Sequence, residues 1–339
     1  MAQLGMVSED QYRYALTNFR IAHEKVEEQR AQLQEQEKQV ALLRARIALL
    51  EGTNDPALAK PGNSVDDFSI RSSASQLERL INSWAADVVN NPPAPLNAIR
   101  HAAFADILDG YPGEAGAYPP EANPIHVMSL LRHAISQTIA EGVINCLIVT
   151  DSAEANIQLT RIHEHIFSRD ATVAAVWRRQ TFSAAVESCS PAMAEFFLGE
   201  SIPALVQILG PKDNPDSMIC KAYPILEAAY EFSRMLHGAP SSSGGTPDAF
   251  YRAFAQDLGA TLHPSQVELV KRCLKTERGE ADRVGATVFP GLVKVTRGGP
   301  AANGNANGFA HTQTVVRRAQ VVCECALGVS TQPPVQVQA

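Results

Sequence analysis

From Tyr12 to Leu50 the apolar positions return every seven residues. Tyr12, Phe19, Val26, Leu33, Val40 and Ile47 form one series, and Ala15, Ala22, Gln29, Gln36, Leu43 and Leu50 follow three positions behind it. Taken as positions a and d of a heptad, the spacing predicts one long helix with a narrow apolar seam, opened by a capping box at Ser8 and Gln11 and stopped at Gly52. A helix cannot bury such a seam alone, so a partner helix is expected. Val40 and Ile47 at a, with Leu43 and Leu50 at d, favour two parallel strands, whereas Gln29 and Gln36 weaken the seam and can fix its register. In a parallel homodimer Arg46 faces Glu51 favourably, but Lys25 faces Arg30 unfavourably. A heterotypic pairing, an antiparallel pairing within the chain, and a solvated helix lying on the protein's own body therefore stay open. The leading reading is a homodimeric coiled coil with Tyr12, Phe19, Val26, Leu33, Val40, Leu43, Ile47 and Leu50 as its dimerisation residues.

Beyond it the pattern changes. "TNDPALAKPGNSVDDFSIR" at 53–71 carries two prolines and a Pro-Gly pair and reads as a linker. Leu77, Leu80, Ile81, Trp84 and Val88 then share one helical face, and "NNPPAP" at Asn90–Pro95 ends that helix. Helices are expected at about 96–108, from Pro124 toward Ile144, and at about 171–187, 191–197, 202–209, 219–236, 247–258 and 264–275. In the last two, Pro247 and Pro264 would stand at the first helical position. "CLIVTDSAEAN" has two readings. Cys146–Val149 is either a buried strand with Asp151 at its carboxyl end, or part of a helix ending at Thr150, with Asp151 or Ser152 capping the next. The absence of a glycine-rich loop and of repeated strand–helix alternation favours the helical reading.

Period-two alternation appears only near the end. Val284, Ala286 and Val288 alternate before Pro290-Gly291. Val315, Ala319, Val321, Cys323 and Cys325 form one face of a second run, with Arg318, Gln320 and Glu324 on the side expected to meet water. Pro290 cannot donate to a ladder, so a bulge or a break in pairing is expected there. The pattern predicts an antiparallel pair near 284–295 and 314–326, joined by a long Gly/Asn-rich loop at 297–314. Two strands alone are marginal in water, so they must lie on the helices or pair with a third strand. The fold class is mainly α: a coiled-coil helix at 1–52, a linker at 53–71, a helical domain at 72–327 with a small C-terminal antiparallel β element, and a disordered tail at 328–339.

Composition narrows the function. A net charge of −7 over 339 residues argues against a nucleic-acid partner and makes an anionic membrane surface an unfavoured one. The first residues lack a basic flank and apolar core, so no secretory signal is expected, and no apolar run is long enough to span a membrane. The six cysteines then read as reduced thiols in the cytoplasm.

No catalytic, cofactor-binding or metal site is expected. Cys323-x-Cys325 lacks a nearby second ligand pair and reads as packed thiols. His163 and His165 stand two apart on a helix and cannot chelate together, so a solvated or partly packed face is expected. There is no phosphate loop, dinucleotide fingerprint or nucleophile elbow. Ser201 reads as a helix cap, and Arg178-Arg179 and Lys271-Arg272 as solvated basic pairs.

"VGATVFPGLVKV" followed by "VVRRAQVVCECAL" resembles the closing segment of the plant gravitropic-in-the-light family, and "LLRHA" at Leu130–Ala134 is similar to its helical body. The likeness covers about forty residues, and the Asn/Gly-rich insertion between the runs departs from the plant pattern. It implies a coiled coil, a helical body, terminal strands and a non-enzymatic regulatory role. The expected function is a non-enzymatic dimeric adaptor or scaffold. It would act through protein–protein contact, bind itself through the coiled coil, and recruit a further protein partner. The alternatives are an enzyme whose site is assembled from dispersed residues of the helical body, and a peripheral membrane-trafficking module.

Overall fold

The computed structural model describes residues 67–108, 122–147, 149–150, 152–184, 188–210, 214, 216–238, 249–271, 274–297 and 311–327, with scattered positions between 9 and 36. The chain divides into two compact units, Met1–Gly62 and Asn63–Ala339. The second is mostly helical with a few strands near its C-terminal end.

Its helices follow the apolar spacing. α1 (Asp67–Asn90) begins inside the stretch read as linker and buries Ile70, Ala74, Leu77, Ile81, Trp84, Ala85 and Val88 on one wide face. The Trp84 indole N–H is fixed at 2.8 Å from the Met218 carbonyl. α3 (Pro124–Ile139) packs against both α1 and α2 (Leu96–Ile107), and the Asn123 side chain caps α3. α3 runs into a π-helical turn (Ala140–Ile144) and stops at a bend over Asn145–Leu147. Cys146, Leu147 and Val149 are therefore not in a strand, and the helix ends earlier than Thr150. Ser152 caps α4 (Ala153–Arg169) by accepting from Ala155 N, one of the two caps anticipated.

α5 (Ala171–Ala184), α6 (Pro191–Ser201), α7 (Pro203–Leu209) and α8 (Tyr223–Gly238) complete the body. Ser201 ends α6 and does not cap α7. That cap comes from α2, where the Asp106 carboxylate accepts from Ala204 N at 2.9 Å and Leu205 N at 2.8 Å. Among the described residues no single helix is long and apolar enough to cross a membrane. The bent pair α6–α7 passes that test jointly, but Phe197, Leu198, Leu205 and Leu209 are buried in the core.

The C-terminal part corrects two expectations. Residues 247–258 and 264–275, read as helices, instead hold β1 (Ala249–Phe254), β2 (Val267–Leu269) and only the short α9 (Leu274–Glu277). Phe250, Tyr251 and Phe254 suit a pleated surface, and the free edge of a neighbouring strand outweighs helical spacing. β3 (Val284–Phe289), β4 (Gly291–Arg297), β5 (His311–Arg317) and β6 (Ala319–Cys323) form one long antiparallel ladder that breaks at Pro290 and Arg318. Each half gains a third strand, giving the sheets β1-β4-β5 and β2-β6-β3. β1 is antiparallel to β4, whereas β2 runs parallel to β6. A ladder that changes sheet at a bend is a known way to make a corner. Gly291 is required there by crowding, since an added Cβ would collide with the Phe254 ring and stand 2.8 Å from Ala319 N.

The strands close over the helices. All six residues of β3 are buried, and Thr287 N donates to His133 Nδ1 of α3 at 2.9 Å. Asn145 pairs with the free edge of β1, accepting from Ala253 N at 2.8 Å and donating to Ala253 O at 3.0 Å. Glu78 of α1 accepts from Arg317 at 2.7 Å and from Gln320 at 3.2 Å, while the Arg317 guanidinium lies over Phe289. The expected water-facing side of the second run is kept at Arg318, which is exposed, only half kept at Gln320, and lost at Glu324. Glu324 is buried because the strand turns there into a 3₁₀ helix (Glu324–Leu327) that folds against β3.

Candidate functional site

The predicted dimerisation residues fall in the first unit. Tyr12, Leu33, Val40, Leu43, Ile47 and Leu50 lie outside the described residues. Phe19 and Val26 are described and helical, 72% and 46% exposed, and so is Leu16 at 56%. Phe19 and Val26 are seven apart, two turns along one face, and Leu16 adjoins Phe19 at helical spacing. Phe19 meets the His23 ring edge-on at 6.4 Å between centroids. Arg30 and Glu27, at 3.0 Å, form an ion pair on the same helix. Three large apolar side chains thus stand in solvent on a helix whose other described residues are mostly polar. Chemically this arrangement can bury surface against another apolar helix and little else.

The second unit hides its polar chemistry. His163 and His165 do point apart, as their spacing requires, but His163 is fully buried and only His165 is exposed. Arg178, read as part of a solvated pair, is also buried. It donates to His163 Nε2 at 3.0 Å, to His237 O at 3.2 Å and to Ala249 O at 3.1 Å, tying α4, α5, α8 and β1 together. His237 Nε2 donates to Ile144 O at 3.1 Å. Burial, then the Arg178 charge, holds both imidazoles down at about 3. Burial, then the Arg179 charge, lowers Arg178 to about 10. At neutral pH these histidines are neutral packing groups, and Phe167 and Phe250 flank His163. Little in the spacing of residues warned of this cluster. The one available signal was that Ile162, Ile166 and Phe167 surround His163 on an amphipathic helix, which left room for a buried polar position.

Two clefts open on the body. One, of about 490 Å³, lies between α1 and α8 and is lined by Ser73, Gln76, Leu77, Leu80, Glu227 and Glu231, among others. The other, of about 230 Å³, contains Asp106, Glu141 and Glu200. Burial raises the Asp106 pKa against the two amides it caps. Neither cleft is lined by a histidine. The strongly shifted imidazoles of His126, His133, His163 and His237 are all buried.

Cys323 ends β6 and Cys325 lies in the 3₁₀ turn rather than on the same strand face as expected, and the turn brings their sulfurs to 3.6 Å. Spacing did not reveal that Asp282, from the approach to β3, stands beside them, with one carboxylate oxygen and both sulfurs within 4.8 Å of one another. Compared with family patterns, with curated protein sequences and with solved structures, the chain matches none of them.

Proposed function

We propose that the protein is a non-enzymatic adaptor that self-associates through its N-terminal helix and presents two copies of the helical body to a protein partner. The observation that carries this reading is the exposure of Leu16, Phe19 and Val26 on one helical segment. Leaving such side chains in water forgoes roughly 1.5–3 kcal/mol each relative to burial. The heptad series through Leu50 supplies the geometry for burying them against a second copy. Two bodies on one coiled coil raise avidity for a repeated partner without any new contact. The likeness of the terminal strands to the plant family points the same way. The setting that fits this role is the cytoplasm.

The test is sedimentation velocity on the full chain and on the double substitution Phe19→Lys, Val26→Lys. Charges at two a positions should convert a dimer to a monomer while the far-UV circular dichroism of the body is retained. Identical sedimentation of the two proteins removes the stripe from any role in association.

A further inference from the structure

We propose that Asp282, Cys323 and Cys325 bind a zinc ion. Neighbouring same-face residues on a strand stand roughly 7 Å apart along the chain. Here β6 ends at Cys323 and a 3₁₀ turn begins at Glu324, which draws the two sulfurs to 3.6 Å. Two thiolates on one tetrahedral zinc, each at about 2.3 Å, are separated by about 3.8 Å. The pair is therefore already spaced as two ligands of one ion. The third donor is a carboxylate oxygen of Asp282, within 4.8 Å of both sulfurs. Backbone amides aim that carboxylate. Arg283 N donates to one oxygen at 2.9 Å and Cys325 N to the other at 3.4 Å, the kind of outer support that metal-ligating carboxylates receive.

Burial is graded to suit entry from outside. Cys323 is fully buried and Asp282 is buried, whereas Cys325 is half-buried. Two soft thiolates with one carboxylate select zinc over magnesium or calcium, which prefer oxygen alone. Water completes the tetrahedron. Binding requires both thiols to lose their protons, so it releases protons and weakens as the solution is acidified. The ion would join the end of β6 to Asp282, two residues before β3, pinning the turn that closes the second sheet. That is a structural role, separate from self-association through the first unit.

Cobalt(II) gives the test on the intact chain, freed of metal by a chelator and kept reduced. Titration should produce thiolate-to-cobalt absorption in the near ultraviolet and intense tetrahedral bands in the visible, saturating at one equivalent and bleached by zinc. Cys325→Ser should lose at least half of the thiolate absorption, and Asp282→Asn should weaken binding tenfold or more. Cys146→Ser, altered outside the cluster, should titrate like the parent. Zinc should also raise the melting temperature of the parent and of Cys146→Ser, but not of Cys325→Ser. The wild-type titration decides the matter even if a variant fails to fold. Absence of thiolate absorption at one equivalent overturns the proposal, as does an undiminished band in Cys325→Ser. A Cys323–Cys325 disulfide found by mass spectrometry in protein purified under reducing conditions also overturns it.

Discussion

Phe19 and Ile81 both sit on helices with regular apolar spacing, yet Phe19 is 72% exposed and Ile81 is fully buried. The width of the stripe separates them. α1 gathers Ile70, Ala74, Leu77, Ile81, Trp84, Ala85 and Val88, a face broad enough to meet α3, α8 and the loop at Met218 together. The heptad series of the N-terminal segment is, as a sequence pattern, one or two residues wide, with charge and amide groups on either side. A broad face condenses within one chain, whereas a narrow seam fits one more helix. The body also covers polar groups that a sheltered core can hold neutral, and the first helix shows nothing comparable among its described residues.

Acid should separate the two regions most. Burial holds His126 and His133 at about 4, and His163 and His237 at about 3, against an ordinary value near 6.5. Between those limits the unfolded chain binds more protons than the folded one. Stability is therefore intact above about pH 6.5 and falls as the pH drops toward 4, by roughly 1.4 kcal/mol per pH unit for each histidine. Urea unfolding of the body at pH 7, 6 and 5 should show a steep decline. A flat profile would mean that these imidazoles reach water.

Gly291→Val comes next. The new side chain has no room between Phe254 and Ala319, so the corner must open, at a cost on the order of 4 kcal/mol in chemical denaturation. Ile81→Ala should cost about 3 kcal/mol by leaving a cavity under α1. The matched changes Phe19→Ala and Val26→Ala should alter the unfolding of the body by less than about 0.5 kcal/mol. If they destabilise it as Ile81→Ala does, the contrast between broad face and narrow seam is wrong.

Much of the body was legible because helices with a wide apolar stripe report themselves residue by residue. α2 begins and ends near its expected bounds and α3 begins at Pro124 as expected, whereas α1 starts inside the stretch read as linker. The corner at Pro290-Gly291 was legible too, although the reason for Gly291 is crowding, which only the fold shows. β1 and β2 were not. Phe250 and Phe254 are four apart and fit a helix, and only the open edge of β4 turns that segment into a strand. The buried cluster around Arg178 was hidden because its partners His163, His237 and Ala249 lie on three separate elements. Asp282 escaped for the same reason, since a turn brings it to the cysteines and spacing does not.

Self-association through the narrow seam is tested most directly by light scattering on two proteins, the full chain and a chain beginning at Asn63. The full chain should have twice its monomer mass, and the shorter one, which keeps the whole compact second unit, should have the mass of one copy. Two monomers, or two dimers, would contradict the assignment of dimerisation to the N-terminal helix.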